Sequence, residues 1–203
     1  MPDHAGRVIA GRAAGRRLTA PGPGTRPLTD RVKQTLFAIL EPDLPGARFL
    51  DLCAGTGAGG IEALSRGAVG ALLVEHDARA CRTIAQNLAA TGLAGPTVTV
   101  VRADATSWLT GALRAAEREA PGGAFDVVLL DPPYDDQSLL ETLLGLLGGD
   151  QAGALLAPDA VIVAKHFWRT APPARIGLLR SIRERRFGET SLTFYRRAAT
   201  EDE

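Results

Sequence analysis

With 203 residues and 45% apolar side chains, the chain is long enough for one domain with a buried core and a small appendage. Two cysteines, Cys53 and Cys81, without paired spacing point to a reducing compartment and away from a disulfide framework or a zinc site; no apolar run has the length of a membrane span and the amino terminus carries no signal-peptide core, so a cytoplasmic monomer is expected. Net charge is zero but unevenly spread: residues 1–33 hold seven Lys/Arg against two Asp/Glu, residues 175–197 again seven against two, and residues 34–174 nine against sixteen. Two basic ends on an acidic body suggest a polyanion approached from the edges.

In chain order, residues 6–19 read as two short strands around a small-residue turn. Pro21, Pro23 and Pro27 with Gly22 and Gly24 make an extended connector. A helix begins near Thr29-Asp30, where Thr29 can cap and Asp30 suits the positive end of the dipole. Val32, Leu36, Ile39 and Leu40 form its apolar stripe, and Pro42 and Pro45 end it. Strand-like runs then occupy 48–52, 69–75, 97–102, 125–130 and 160–164, with helix-like runs at 60–66, 77–91, 106–119 and 137–148. That βαβα order predicts an α/β fold with a parallel, right-handedly connected sheet. After Pro172-Pro173, Leu178–Phe187 and Ser191–Tyr195 read as a terminal antiparallel hairpin joined through Gly188-Glu189. The predicted whole is a Rossmann-like, mostly parallel seven-stranded sheet ending in an antiparallel hairpin. Its limits are a basic amino-terminal hairpin and helix over 1–44, a main domain over 45–197 and an acidic tail over 198–203.

Two strings carry the chemistry. The first, Asp51-Leu-Cys-Ala-Gly-Thr-Gly-Ala-Gly-Gly60, follows a strand and contains G-x-G-x-x-G from Gly55 to Gly60. Glu75 lies twenty residues after Gly55, where a carboxylate can grip a ribose diol. The loop alone does not separate NAD from S-adenosylmethionine (SAM). Asp51 shifts the balance, because an acid before the glycines would repel a pyrophosphate, whereas SAM carries an ammonium and a sulfonium instead. Asp104, after Val100-Val101-Arg102, is placed to accept from the adenine amino group. Three acids at three successive strand ends favour SAM, although capping or turn chemistry is the usual job of each one alone. The cofactor set is Asp51, Ala54, Gly55, Gly57, Glu75, His76, Asp104, Ala105 and Asp131.

The second string is Asp131-Pro132-Pro133-Tyr134, directly after the fourth parallel strand. An exocyclic base amine is a poor nucleophile because its lone pair is delocalised into the ring. Accepting both N–H hydrogens, on a carboxylate and a backbone carbonyl, turns that lone pair toward a methyl donor. Prolines fix φ and present carbonyls without competing N–H groups, and an aromatic ring can stack on a flipped-out base. Asp131 and the Pro132 carbonyl are the expected acceptors, with Pro133 rigidifying the turn and Tyr134 as the stacking face. A strand-ending turn with a buried tyrosine is the plainer alternative. The reaction is an in-line displacement that needs no metal. His4, His76 and His166 do not cluster as catalytic groups, Cys53 reads as a small core filler, and Trp108 and Trp168 read as packing residues.

At this point the chain resembles a known family, the bacterial guanine-N2 methyltransferases of 16S ribosomal RNA of the RsmD type. The resemblance runs from Gly6 to Tyr195. It is carried by Arg7-Val-Ile-Ala-Gly11, Gly15-Arg-Arg-Leu18, Arg26-Pro-Leu-Thr-Asp-Arg-Val-Lys33 with Leu36-Phe37, Asp51–Gly57, Glu62-Ala-Leu-Ser-Arg-Gly67 and Asp131–Tyr134. It implies SAM as donor, a guanine of 16S rRNA in the small subunit or its assembly intermediate as acceptor, and RNA contacts from Arg7, Arg12, Arg16, Arg17, Arg26, Arg31 and Lys33. The chain departs from the family at Gly59, where an apolar residue is usual, at Leu28, often a threonine, and at Ala164-Lys165-His166, where strand five often ends in a carboxylate. An adenine-N6 methyltransferase fits the same clamp. A methyltransferase-fold RNA-binding assembly factor is the non-enzymatic alternative.

Overall fold

The computed structural model describes residues 4–20, 22, 28–116, 124–134 and 136–198. The chain divides into two compact units, Met1–Asp104 and Ala105–Glu203.

In the first unit, strands β1 (His4–Arg7) and β2 (Arg17–Thr19) pair antiparallel, and the chain between them closes a turn in which Val8 N–H donates to Arg16 O at 2.9 Å and Gly15 N–H to Val8 O at 2.9 Å. Helix α1 (Asp30–Leu40) starts at Thr29, whose hydroxyl accepts from Val32 N–H at 3.4 Å. Its spacing of apolar residues buries Val32, Leu36, Phe37 and Leu40 on one face; each such side chain contributes on the order of 1.5–3 kcal/mol. One turn of 3₁₀ helix carrying Pro42 follows it. Three parallel strands, β3 (Arg48–Leu52), β4 (Gly70–Glu75) and β5 (Val98–Arg102), then stand in the order β5-β4-β3. Helices α2 (Ala58–Ser65) and α3 (Ala78–Thr91) make the crossovers. β3 and β4 are near-continuous apolar runs because both faces are covered.

In the second unit, α4 (Ala105–Ala116), β6 (Phe125–Leu130) and α5 (Gln137–Gly148) precede β7 (Leu156–Phe167), which runs parallel to β6. Strands β8 (Arg175–Ile176), β9 (Leu179–Phe187) and β10 (Thr190–Arg197) close the unit antiparallel, in the order β6-β7-β10-β9-β8. This is the expected α/β layout of parallel strands, crossover helices and a terminal hairpin.

Three details differ from the sequence reading. Strand β7 extends over 156–167 rather than 160–164, because β6 pairs with it at Leu156 and β10 from Val161 to Phe167. The two-residue β8 adds an eighth strand to the seven expected, held by Arg175↔Arg180 and Ile176↔Leu179. Helix α2 begins at Ala58, two residues early, since Gly57 at φ +76° serves as its left-handed N-cap. Arg26 and residues 199–203 lie outside the described residues, as do residues 117–119 of the expected fourth crossover helix.

Candidate active site

The glycine loop connects β3 to α2. Asp51, the fourth residue of β3, is buried, and its Oδ2 accepts the Gly60 N–H at 2.8 Å. It therefore satisfies an otherwise orphaned donor in the first turn of α2 and fixes the loop's exit. Gly60 must be glycine for a packing reason, as a Cβ there would lie 2.9 Å from Leu73 Cδ2. Cys53 adopts φ +65°, a conformation costly for a residue with a side chain and characteristic of ligand-holding turns. Its reading as a core filler is corrected: the residue is half-buried and marks the sharp bend out of β3.

Glu75 closes β4 and lies buried beneath the loop. Its Oε2 accepts Gly55 N–H at 2.8 Å, and its Oε1 accepts Asp77 N–H at 2.9 Å and lies 3.0 Å from His76 Nδ1. Oε2 keeps a further lone pair for a ribose hydroxyl. His76 itself is mostly exposed, Asp77 turns its carboxylate to the α3 N-terminus through Ala80 N–H, and that hydrogen bond holds the Asp77 carboxyl below its usual range. Ala54 is buried and bonds Val74 O, Gly55 is half-buried, and Gly57 N–H donates to Ala54 O at 2.7 Å. Asp104, two residues past β5, is exposed. Asp51, Glu75 and Asp104 thus stand at the ends of three neighbouring parallel strands. As a donor set, carboxylates with backbone amides fit a cationic, phosphate-free nucleoside better than a dinucleotide. Ala105, at the head of α4, is buried.

In the second unit, Asp131 follows β6 and lies against Lys165 of β7; Lys165 Nζ donates to Asp131 Oδ1. The register explains the contact. Leu130 is level with Ala164 in the parallel β6–β7 pair, so the next residues, Asp131 and Lys165, emerge side by side. Burial pushes the Asp131 carboxyl up from its ordinary range, and the Lys165 ammonium opposes that rise. Burial also pulls Lys165 down, but Asp131 and Tyr134 together carry it above its ordinary value. Pro132 is buried and Pro133 exposed, and Asp136 N–H donates to Pro133 O at 3.0 Å, so the turn is rigid. The Tyr134 hydroxyl lies 2.5 Å from the Thr190 hydroxyl, and the ring centroid is 4.6 Å from Lys165 Nζ. A shallow cavity there is lined by Pro132, Pro133, Tyr134, Lys165, Phe167 and Thr170. His166 also borders the cavity, but its ring is engaged by Phe167 O and the Thr193 hydroxyl, each at 2.9 Å, and burial lowers its pKa.

The arginines expected at RNA divide into two groups. Arg7, Arg12, Arg16, Arg17 and Arg31 are all exposed, but two of them are engaged with neighbouring residues. Arg7 is engaged with Asp30 at 3.1 Å, and Arg16 donates to Ala90 O at 2.8 Å. Lys33 is not at the surface. It is fully buried in α1, donates to the Arg7 carbonyl and sits 3.7 Å from Asp30 Oδ1, so it fastens β1 to α1, and burial lowers its pKa. Residues that sequence reasoning passed over do the same work. Glu62 accepts Ile9 N–H at 2.7 Å and Ala10 N–H at 3.0 Å, and the Ser65 hydroxyl accepts Ala13 N–H at 3.0 Å. A Cβ on Gly11, at φ +82°, would fall 1.9 Å from Ser65 O. The signal was present in the string Glu62–Gly67, whose acid and serine lie one helical turn apart within an apolar helix.

Comparison with known proteins agrees with this geometry. The family model described as "Conserved hypothetical protein 95" matches residues 6–196. Ribosomal RNA small subunit methyltransferase D of Escherichia coli K12 is 36% identical over 203 residues, covering 98% of this chain and 95% of that protein. The protein of the same name from Haemophilus influenzae is 34% identical over 157 residues, covering 77% and 76%. A Thermus thermophilus hypothetical protein of known structure superposes with a TM-score of 0.75 at 32% identity, over 93% of this chain and 97% of that one. An RNA methyltransferase from Salinibacter ruber, solved with S-adenosyl-L-homocysteine, shares the fold at a TM-score of 0.60 and 16% identity, over 85% and 94%. With matches of this extent at both ends, the chain belongs to the Conserved hypothetical protein 95 family and is an rRNA methyltransferase of the RsmD type.

Proposed function

We propose that the protein transfers a methyl group from SAM to the exocyclic N2 of a guanine in 16S rRNA of the small ribosomal subunit. The observation that carries this reading is the Asp131–Tyr134 turn, a carboxylate at a strand end with two prolines and a fixed aromatic ring beside a cavity. SAM, when bound, supplies a methyl carbon activated by the adjacent sulfonium. Glu75 would accept from the ribose diol and Asp104 from the adenine amine, and the Gly55–Gly57 backbone, Ala54, His76 and Ala105 are assigned to bounding the cofactor. Asp51 would act chiefly through the loop it braces. Asp131 and the Pro132 carbonyl would each accept one N–H of the target amine, leaving its lone pair directed at the methyl carbon. Tyr134 would stack on the extruded base. The nitrogen gains a C–N bond as the S–C bond breaks, and it then sheds a proton. Positioning and charge placement supply most of the acceleration.

The guanine assignment comes from the family, since the clamp chemistry suits any exocyclic amine. The two small-subunit methyltransferase relatives support rRNA as the acceptor. In this reading the 1–44 segment adds RNA contacts to the 45–197 domain, and a cytoplasmic monomer acts on the small subunit or its assembly intermediate. Among the described residues, no helix is long and apolar enough to cross a membrane. The deciding experiment incubates the protein with labelled SAM and small subunits lacking the modification, large subunits, or duplex DNA, then identifies the labelled nucleoside. N2-methylguanine in small subunits alone is the expected result. Label in N6-methyladenine, or equal labelling of DNA, would replace guanine with the adenine reading, and no label on any acceptor would favour an assembly factor.

A further inference from the structure

We propose that Lys165 is the positioning residue of the acceptor clamp: it holds Asp131 as a carboxylate with Oδ1 engaged, so that Oδ2 takes the N–H of the incoming amine. This rests on the reading of Asp131 as the amine acceptor. Three observations on β6, β7 and β10 carry it. The β6–β7 register brings Lys165 and Asp131 out side by side, and their side chains are only 8% and 15% exposed. The ammonium bonds Asp131 Oδ1 and lies 4.6 Å from the Tyr134 ring centroid, so one cation touches both the carboxylate and the stacking ring. Tyr134 is fixed from the far side by Thr190 of β10 at 2.5 Å, which leaves the Lys165 side chain as a wall of the cavity.

In this chain the ion pair serves the chemistry of the clamp. A buried carboxyl without a counter-charge protonates near neutral pH, and a protonated Asp131 would present an O–H where the amine needs an acceptor. Among the described residues, the other ionisable groups around the cavity do not supply the charge. The His166 ring is taken up by the Thr193 hydroxyl and Phe167 O, and Glu184 of β9 acts on it. Asp136 caps α5 through Leu139 N–H, and Tyr134 is the ring already described. Burial, the stronger influence, favours the protonated form of Asp131, and Lys165 counters it.

The test is a pH titration of the full chain carrying ¹³C-labelled aspartate, with the Asp131 carboxyl carbon assigned from Asp131→Asn. At about pH 7.5 the wild-type Asp131 signal should be that of a carboxylate; Lys165→Met should move its midpoint up by at least about one pH unit, and Lys165→Arg should restore it. In parallel, single-turnover transfer to small subunits lacking the modification should lose its acid side in Lys165→Met and recover as pH rises, while SAM affinity stays within about twofold of wild type. A purely structural lysine would instead lower transfer equally at every pH. An Asp131 midpoint unchanged in a folded Lys165→Met variant overturns the proposal. If that variant does not fold, the wild-type titration decides, because an Asp131 protonated at about pH 7.5 overturns the proposal and an ionised one supports it. The carboxyl signal is independent of which nucleoside is methylated, so failure of the guanine assignment would show in the product and leave this readout intact.

Discussion

Asn87 of α3 grips both backbone polar groups of Thr19: its Oδ1 accepts the Thr19 N–H at 2.8 Å and its Nδ2 donates to the Thr19 carbonyl at 3.0 Å. The same Nδ2 donates to Thr56 O at 3.0 Å, inside the glycine loop. One buried amide thus ties the end of β2 to the candidate cofactor loop. Asn87→Ala should lower the thermal midpoint by several degrees, since buried partners left unsatisfied cost about 1–3 kcal/mol each. Asn87→Asp should be worse, because it aims a negative charge at two carbonyl oxygens. SAM affinity should fall in both, read by calorimetry, and affinity equal to wild type would separate Asn87 from the loop's shape.

Glu75→Ala should weaken SAM by about 1.5–3 kcal/mol, the span expected for charge-assisted hydrogen bonds. Part of that loss would come from Gly55 N–H, which Glu75 also holds. Calorimetric affinity that does not change would remove Glu75 from the binding set.

Asp131→Asn should abolish transfer, because one side of the amide presents N–H to the amine, while SAM affinity stays near wild type. Asp131→Ala should also cost stability, since Lys165 would be left buried without its partner. Turnover above about a tenth of wild type in the asparagine variant would sink the clamp assignment.

Replacing Arg12, Arg17 and Arg31, three exposed members of the basic amino-terminal set, should weaken RNA binding and flatten its salt dependence. For every phosphate no longer neutralised, the log–log slope should fall by about 0.7–0.9. Lys33→Met should leave that slope unchanged, because Lys33 is buried against the Arg7 carbonyl.

Tyr195 gives an alkaline signature. Its hydroxyl donates to Pro173 O at 2.9 Å in a buried setting, and burial raises its pKa to about 12 from an ordinary 10.0. A raised pKa favours the protonated form in the folded state. The stabilisation is therefore complete below about pH 10 and is lost as pH climbs toward about 12. Chemical denaturation across that window should show wild type losing stability faster than Tyr195→Phe, which lacks the titrating group. Parallel curves would remove Tyr195 as the cause.

Much of the frame was legible because short-range physics wrote it. Thr29 announced α1 through its cap, Asp131 marked the end of an apolar strand, and the spacing of Leu140, Leu143, Leu144 and Leu147 gave α5 its buried face. Long-range pairing hid the rest. Strand β7 begins at Leu156 and runs through Pro158-Asp159, ahead of the run expected at 160–164. Lys33 read as surface charge because nothing local shows that a carbonyl 26 residues earlier will receive its ammonium. Lys165 was visible only as a departure from the family, and its partner emerges from the register of two strands 34 residues apart.

The way the amino-terminal turn is fastened also sets a schedule for the nascent chain. Ile9, Ala10 and Ala13 dock on Glu62 and Ser65, and Thr19 docks on Asn87, at sequence separations of 52 to 68 residues. At about 5–20 residues per second of synthesis, the turn waits roughly 3–10 seconds before its first anchors are even polymerised. The turn therefore cannot be seated until α2 and α3, the helices that supply its anchors, have been synthesised.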